Sequence, residues 1–432
     1  MPDERDIPRG RLGRLARLAK VGAQAGISQV ISRGQGAEPT ARRAAEVMGH
    51  LRGLAAKVGQ MASYIDGVVP PQQREAYERW MKGLQSAAPT SPPEAIRALI
   101  QAELGSSVED LFTEWSDTPI ASASIGQVHR AVTAEGDEVA VKVQHPGVAE
   151  AVESDLKNAG LLESALSVMG TRKFKSKEVL EIVRQRFREE LDYGHEAQRQ
   201  QEFIALHAED PQIHIPRIYT ELSSTQVMTS AFVQGMDFTA ACAAPEAERR
   251  AWIETLWRFV YKGNLVGGIF NADPHPGNYI FHPGGHVTFL DFGCIQEIPP
   301  ERCTLARGLH FAAAAKDEAR FREIGVALFK TRGGDYEEAA LRYVRHCFEP
   351  HFSPPFRITR EFVASLVAEM RRMISHFRKS KDDSLVPLPA DMFFLNRLQF
   401  GFYSVVARLD AEVNYPEVEA SFLGPFAAKE AQ

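Results

Sequence analysis

The chain has 432 residues, of which 44% are hydrophobic and 25% charged, and its formal net charge is -6. This length allows two or three domains, and the composition is that of an ordinary folded protein, which excludes a predominantly disordered chain. A net negative charge provides no broad basic surface to offset phosphates, so we expect no nucleic-acid partner.

The amino end is basic and rich in leucine. Arginines and leucines alternate between Arg9 and Lys20, a pattern that fits either a helix on anionic lipid or a solvated helix that packs its leucines on the protein. Acidic residues at Asp3, Glu4 and Asp6 argue against an organellar transit peptide. No stretch approaches the roughly 18 apolar residues that a membrane-spanning helix needs. We expect a cytoplasmic protein without a transmembrane helix, with an anionic membrane surface or lipid as a candidate partner.

Composition and periodicity divide the chain into three parts. Residues 1–90 carry helical patterns and no strand-like alternation, and prolines mark their end. Residues 91–235 mix helices and strands, whereas residues 236–432 are mostly helical in pattern. Few strands followed by many helices predict an α+β protein with a mixed first lobe and a helical second lobe.

Several elements are predicted in the first lobe. Alternating apolar residues predict a β-hairpin of strands Ile125–Ala131 and Val139–Val143 around a turn at Gly136. Apolar residues at helical spacing predict a helix over Glu178–Gln200. The other predicted elements are a helix and two short strands, at Leu99–Leu111, Ile215–Tyr219 and Gln226–Met228.

The most specific chemical signal is the stretch Asp-Pro-His-Pro-Gly-Asn from Asp273 to Asn278, followed thirteen residues later by Asp291-Phe-Gly. This spacing is typical of a kinase catalytic loop and its metal-binding motif. Phosphoryl transfer from ATP needs a carboxylate near the acceptor hydroxyl and further oxygens that hold Mg²⁺ on the phosphates. We therefore predict Asp273 as a catalytic residue, and Asn278 and Asp291 as ligands of Mg²⁺. A predicted strand over Val287–Leu290 places Asp291 at a strand end, as the motif requires.

Lys142 ends the stretch Val-Ala-Val-Lys and matches the strand lysine that contacts the α and β phosphates of ATP. Taken alone, such a lysine is more often a solvated edge residue, but the downstream motifs in the right order favour the ATP interpretation. Residues 121–129 stand where a kinase has its glycine-rich loop, yet they contain one glycine. Side chains with a Cβ restrict φ, so we expect phosphate contact with altered nucleotide handling. The predicted phosphate-contacting residues are Ala121, Ser122, Ala123, Ser124 and Gly126.

The order of these motifs resembles the UbiB family of atypical kinase-like proteins, also called AarF or ADCK. The resemblance covers about residues 45–420 and rests also on Lys-Val-Gly-Gln at 57–60 and on Glu-Leu-Asp at 190–192. It implies a two-lobed protein-kinase-like fold with an N-terminal helical extension. It also implies that this extension packs over the active site, where a protein kinase would receive its peptide.

The resemblance adds residues to the predicted site. It implies that Glu196 forms an ion pair with Lys142. Glu190 and Asp192 lie about 200° apart on a regular helix, so both cannot point inward unless Gly194 distorts the turn, and we expect Glu190 to meet the extension. The site residues implied in this way are Lys57, Gln60, Glu190 and Glu196.

Three positions depart from the family pattern. Asn271 stands where the family commonly has a histidine, and because this position usually props the loop, we expect altered loop support rather than lost chemistry. The hinge stretch Ser230-Ala231-Phe232 replaces a common Met-Glu-aromatic sequence, which leaves adenine recognition to backbone groups. Ser122 replaces an alanine of the phosphate loop.

The resemblance implies an Mg-ATP-binding atypical kinase or ATPase that supports isoprenoid-quinone or other lipid metabolism at a membrane surface. Quinone- or lipid-biosynthesis proteins are candidate partners. One alternative is a small-molecule or lipid kinase, which a lipid-sized apolar cleft beside Asp273 would favour. The other is a non-catalytic, nucleotide-gated scaffold for a biosynthetic complex. The complete set of motif acids argues against a scaffold, although retained residues do not establish turnover.

Overall fold

The structure is a computed structural model that describes residues 90–122, 125–156, 188–271, 273–379 and 390–430. The predicted N-terminal helical extension, with Lys57 and Gln60, lies outside these residues, as do Ala123 and Ser124 of the phosphate loop. The described chain forms a mixed first lobe followed by a larger helical lobe. This is the α+β, kinase-like fold that the sequence predicts.

Strands concentrate in the first half of the described chain and helices in the second. The described strands are β1 Phe112–Trp115, β2 Ala121–Ser122, β3 Gly126–Thr133, β4 Glu138–Gln144, β5 Ile213–His214, β6 Val227–Ala231, β7 Ile269–Asn271, β8 Tyr279–Phe281, β9 Val287–Phe289, β10 Ile295–Glu297, β11 Phe356–Arg357 and β12 Glu412–Val413. The described α-helices are α1 Pro93–Leu104, α2 Val108–Leu111, α3 Val148–Leu156, α4 Tyr193–Leu206, α5 Phe238–Cys242, α6 Glu246–Lys262, α7 Pro300–Ala314, α8 Glu318–Phe329, α9 Gly334–Cys347, α10 Glu349–Phe352, α11 Arg360–Lys379, α12 Ala390–Leu409 and α13 Tyr415–Glu430.

The first lobe is built on an antiparallel sheet with the strand order β1-β3-β4-β6, and β2 pairs with β3. β3 and β4 form the predicted hairpin, with Val128 opposite Lys142. Val139, Val141 and Val143 are fully buried in the core that α1 shares with the sheet. Because side chains alternate across a strand, Lys142 emerges on the opposite face of β4. The hydrophobic pattern of one strand therefore orients the predicted ATP-binding lysine.

The predicted helix Leu99–Leu111 is wrong in its bounds. α1 ends at Leu104 because Gly105 adopts a left-handed conformation with φ of 76°. Ser107 then caps the next turn of helix, α2, because its hydroxyl accepts a hydrogen bond from the backbone N–H of Asp110. A glycine and a serine two residues apart thus end one helix and begin another.

The predicted helix Glu178–Gln200 is interrupted at Asp192. This residue has an extended backbone (φ -117°, ψ 94°), and its carboxylate accepts a hydrogen bond from the N–H of His195, so it caps α4. A regular helix through 190–192 is therefore wrong, and the angle of about 200° between Glu190 and Asp192 does not apply. Residues 157–187 lie outside the described part of the chain.

The predicted strand Ile215–Tyr219 is also wrong. The chain instead forms β5 two residues earlier, paired in parallel with β9, and Ile218 makes an isolated bridge to Ser230. Pro216 has no N–H to donate to a sheet, which explains why the strand does not continue. The predicted strand Gln226–Met228 is confirmed as the start of β6.

The helical lobe packs around Trp257 of α6. The indole is fully buried, its ring centroid lies 4.2 Å from that of Tyr415, and its Nε1 donates to Glu419 at 2.8 Å. The same carboxylate is 2.7 Å from His310 Nδ1 and 2.9 Å from His351 Nε2. A buried carboxylate is tolerated where several donors satisfy it. Glu419 thereby joins helices α6, α7, α10 and α13 at one point.

Gly126, at the start of β3, has no room for a side chain. An added Cβ would lie 2.5 Å from Tyr193 Oη and 2.6 Å from the carbonyl oxygen of Val143. We expect Gly126→Ala to lower the free energy of unfolding by about 1–3 kcal/mol in urea denaturation, because the backbone of β4 must shift. Gly424→Ala in α13 is the control, since no atom lies within 4 Å of the Cβ that it would add. An equal loss in both variants would contradict this account.

Candidate active site

Lys142 of β4 and Glu196 of α4 form an ion pair, the contact that the resemblance implies. Lys142 Nζ is 2.8 Å from both carboxylate oxygens, and Glu196 is 4% exposed. Burial alone would lower the pKa of Lys142, but Glu196, Tyr193 and Asp291 outweigh it and raise this pKa above its ordinary value. Lys142 therefore stays positively charged, as contact with a phosphate requires.

The start of α4 is held against the sheet by two residues that sequence analysis did not single out. Gln144 Nε2, at the end of β4, donates to the carbonyl of Leu191 at 2.7 Å. The Tyr193 ring centroid lies 4.8 Å from Lys142 Nζ, so the ring covers the ammonium group. Both residues lie beside recognisable motifs, but the sequence carries no signal for these contacts. The contacts of Gln144 and Tyr193 fix the start of α4 and so direct Glu196 towards Lys142.

Asn271 links the two motifs of the predicted catalytic loop. Its Oδ1 accepts from the N–H of Asp273 at 2.9 Å, and its Nδ2 donates to the carbonyl of Asp291 at 2.5 Å. Asn278 Nδ2 donates to the carbonyl of Asp273 at 3.1 Å. The backbones of Asp273 and Asp291 are thus joined through Asn271, and Asn278 is joined to Asp273 through its side chain. Asn271 supports the loop with one side-chain amide, which hydrogen-bonds to the backbone of each motif.

Asp291 also lies next to the ion pair of the first lobe. Its Oδ1 accepts from the N–H of Gly293 at 2.9 Å. A Cβ on Gly293 would be 3.4 Å from Asp291 Oδ1 and 3.4 Å from Glu196 Oε2, so both carboxylates flank one glycine. The lysine, its carboxylate partner and the predicted metal ligand therefore form one cluster at the junction of the lobes.

Part of the predicted phosphate loop has a structural role. Residues 121–122 pair with β3 as strand β2. Gln127 Oε1 accepts from the N–H of Ser91 at 2.8 Å, and Gln127 Nε2 lies 2.8 Å from His129 Nε2. His129 Nδ1 lies 2.7 Å from the carbonyl of Ser116, so this nitrogen donates and Nε2 accepts from Gln127. The glutamine and histidine of the motif thus fix the base of the loop, while phosphate contact stays a prediction.

Two further expectations concern the edges of the site. Glu190 lies in a short helical stretch before Asp192, and its expected partner Lys57 is outside the described residues, so their contact stays a prediction. At the hinge, the N–H groups of Ala231 and Phe232 each donate to a carbonyl oxygen of the protein at 2.9 Å. These two donors are engaged, so backbone recognition of adenine has to use other groups.

The side chains present fit Mg²⁺ and a triphosphate. Asp291 and Asn278 offer carboxylate and amide oxygens, the ligand type that Mg²⁺ prefers. Because Asn278 Nδ2 donates to a backbone carbonyl, its Oδ1 is the atom that would face a metal. Lys142 supplies a fixed positive charge beside Asp291. The cluster therefore combines a cation for phosphate with oxygen ligands for a metal.

Known proteins are similar to this chain in sequence and in fold. Residues 83–325 match the family model of the ABC1 atypical kinase-like domain. The mitochondrial atypical kinase COQ8 of Saccharomyces cerevisiae is 26% identical over 425 residues, which cover 94% of this chain and 84% of that protein. The mitochondrial atypical kinase COQ8B of Rattus norvegicus is 27% identical, over 95% and 80% of the two chains. The Rv3197–erythromycin complex from Mycobacterium tuberculosis matches with a TM-score of 0.59 and 25% identity, over 87% of this chain and 94% of that one.

The ion pair between Lys142 and Glu196 can be tested by a double-mutant cycle. We expect Lys142→Met and Glu196→Gln each to lower the free energy of unfolding by about 2 kcal/mol, since each leaves the partner unpaired, and the Lys142 side chain is 26% exposed. The coupling energy from urea denaturation should be about 1–3 kcal/mol. The exposed pair Arg320–Glu323 is the control, with an expected coupling below about 0.5 kcal/mol. Additive effects at the first pair would contradict the contact.

Proposed function

The chain belongs to the family of ABC1 atypical kinase-like proteins, and from that premise we propose that it binds Mg-ATP and turns it over. The observation that carries this proposal is the ion pair between Lys142 and Glu196 beside Asp291. In kinases, a strand lysine held by a helix carboxylate orients the phosphates, next to an aspartate that holds Mg²⁺. The same three residue types occupy the same kinds of element in this chain.

In this proposal, Lys142 contacts the α and β phosphates while Glu196 keeps its ammonium group in place. Asn278 and Asp291 hold Mg²⁺, which when bound offsets the charge that develops on the phosphates. The first-lobe sheet supplies the lysine, and the second lobe supplies the metal ligands. Nucleotide binding therefore depends on the relative placement of the two lobes.

Asp273 accepts the proton of the attacking water or acceptor hydroxyl, or positions that group for attack. Its N–H donates to Asn271, and its carbonyl accepts from Asn278. With both backbone groups engaged, the carboxylate of Asp273 extends from a fixed point. The loop thus positions a general base at a set distance from the metal ligands.

We further propose that ATP turnover, rather than protein phosphorylation, is the output. The N-terminal extension, with Lys57 and Gln60, would cover the place where a protein kinase receives its peptide. The turnover would support isoprenoid-quinone metabolism, above all ubiquinone biosynthesis, or other lipid metabolism at a membrane surface. The resemblance to the UbiB family and the similarity to COQ8 atypical kinases support this assignment. None of the helices in the described ranges combines the length and hydropathy of a membrane span.

The proposed site predicts different effects for two aspartates. Asp291→Asn should weaken Mg-dependent ATP binding and reduce hydrolysis at least about 100-fold, because a metal ligand loses its charge. Asp273→Asn should reduce hydrolysis by about 10²–10⁴-fold but leave the Kd for ATP within about threefold. The reason is that Asp273 takes the proton of the attacking group and does not hold the nucleotide. Phosphate release and ATP-dependent Tm shifts of the purified protein measure the two effects. Asp335→Asn, on the exposed surface of α9, is the control.

Two results of that experiment would change the assignment. Unaltered hydrolysis in Asp291→Asn would refute the proposed site. Tight ATP binding by the wild-type protein without hydrolysis would favour the nucleotide-gated scaffold instead.

If ATP turnover takes place at a membrane surface, its rate should depend on the lipid that is present. We expect anionic liposomes to raise the rate of ATP hydrolysis and neutral liposomes to leave it unchanged, because the basic residues between Arg9 and Lys20 are attracted to anionic headgroups. The stimulation should fall as ionic strength rises. With labelled ATP, an added peptide should remain unlabelled. Strong peptide labelling would contradict the covered peptide site, whereas labelled lipid would favour a lipid kinase.

A further inference from the structure

The carboxylate of Glu103 makes three hydrogen bonds that the proposed function does not explain. Glu103 lies in the last turn of α1, the helix that packs on the valine face of the first-lobe sheet. Its Oε2 accepts from Ser224 Oγ at 2.7 Å and from Thr225 Oγ1 at 3.3 Å, and its Oε1 accepts from Gln226 Nε2 at 2.8 Å. One carboxylate therefore binds three consecutive side chains, those of the 224–226 loop just before β6.

The 224–226 loop in turn holds the start of α4. The carbonyl of Thr225 accepts from the N–H of Tyr193, the first residue of α4, at 2.9 Å. The same carbonyl accepts from Gln144 Nε2 at 3.3 Å, and this amide also donates to the carbonyl of Leu191. One backbone carbonyl thus accepts from both residues that fix the start of α4.

The two donors to Thr225 lie next to the two partners of the ion pair. Gln144 is two residues after Lys142 on β4, and side chains two positions apart share one face of a strand. Tyr193 is three residues before Glu196 on α4, a rise of about 4.5 Å along the helix. The position of the Thr225 carbonyl therefore controls the distance between Lys142 and Glu196.

The hydrogen bonds of Glu103 differ from those of an ordinary surface ion pair. Its three partners are uncharged and lie 121–123 residues further along the chain. Ser224 Oγ donates to Glu103, which leaves its lone pairs to accept from the N–H groups of Gln226 at 3.2 Å and Val227 at 3.1 Å. The contact with Glu103 thus orients the hydroxyl that shapes the backbone of the 224–226 loop.

We propose that Glu103 is a positioning residue for the ion pair between Lys142 and Glu196. It holds the 224–226 loop, and the Thr225 carbonyl then sets the start of α4 against β4. The effect on the ion pair follows from these contacts alone, whereas the effect on ATP turnover rests on the proposed function. Glu103 acts through the loop and not on the nucleotide.

Acetylation of Lys142 measures the state of the ion pair without nucleotide. The Lys142 side chain is 26% exposed, so sulfo-N-hydroxysuccinimidyl acetate can reach it in the full chain, and mass spectrometry gives the rate. Glu103→Ala should raise this rate at least about threefold. The reason is that only the neutral amine reacts, and a weaker contact with Glu196 lowers the pKa of Lys142. Glu103→Gln should stay within about twofold of the wild type, because its side-chain oxygen still accepts from the loop.

Two further variants keep this test decisive. Gln226→Met removes one hydrogen bond to Glu103 from the loop side and should raise the acetylation rate in the same direction, which covers the case in which Glu103→Ala does not fold. Ser107→Ala removes the cap of α2 in the same lobe and is the control for lost stability, with an expected rate within about twofold of the wild type. The proposal is overturned if neither Glu103→Ala nor Gln226→Met changes the rate, or if Ser107→Ala raises it equally.

ATP hydrolysis by the same variants separates this role from the proposed function. Glu103→Ala should lower kcat/KM for ATP by about 10- to 100-fold, the cost of a small displacement of a group that orients the substrate. Ser107→Ala should leave kcat/KM within about twofold of the wild type. No hydrolysis by the wild type would refute the proposed function, and acetylation of Lys142 would still decide the role of Glu103. Faster acetylation with unaltered hydrolysis would overturn the role of Glu103 in turnover.

Discussion

The contact between Lys142 and Glu196 constrains both lobes. Glu196 is 4% exposed, and an unpaired carboxylate at that depth would be strongly unfavourable, so β4 and α4 are held in one relative position. Gly293 packs between Glu196 and Asp291, where an added Cβ would contact both carboxylates. The placement of the second-lobe motif thus depends on a pair made in the first lobe. A cation for phosphate and an oxygen ligand for metal meet there as a result.

Two side-chain networks keep the rest of the molecule aligned with this pair. Asn271 uses both ends of its amide to join the backbones of Asp273 and Asp291. Further into the helical lobe, Glu419 accepts from Trp257 and is bonded to two histidines. Buried polar networks of this kind specify one arrangement, because any other leaves a donor or acceptor unsatisfied. The catalytic loop therefore rests on a lobe with little freedom to repack.

Sequence patterns predicted the elements that depend on near neighbours. The alternation of β4 predicted the hairpin, since it depends on a period of two residues, and the same period places Lys142 on the face opposite the buried valines. Errors arose where a local conformational preference competes with the hydrophobic pattern. Gly105 ends a helix, Asp192 caps one, and Pro216 prevents a strand from continuing. Each is a single residue whose effect outweighs the average pattern of its neighbours.

The sequence by itself determined the family resemblance, the α+β fold and the order of the motifs, because these are properties of spacing along the chain. Only the tertiary structure decided that Tyr193 covers Lys142 and that Asn271 bonds in two directions. Contacts such as that between His351 and Glu419 join residues 68 positions apart. No periodicity encodes such a distance, and it arises only when the helices pack.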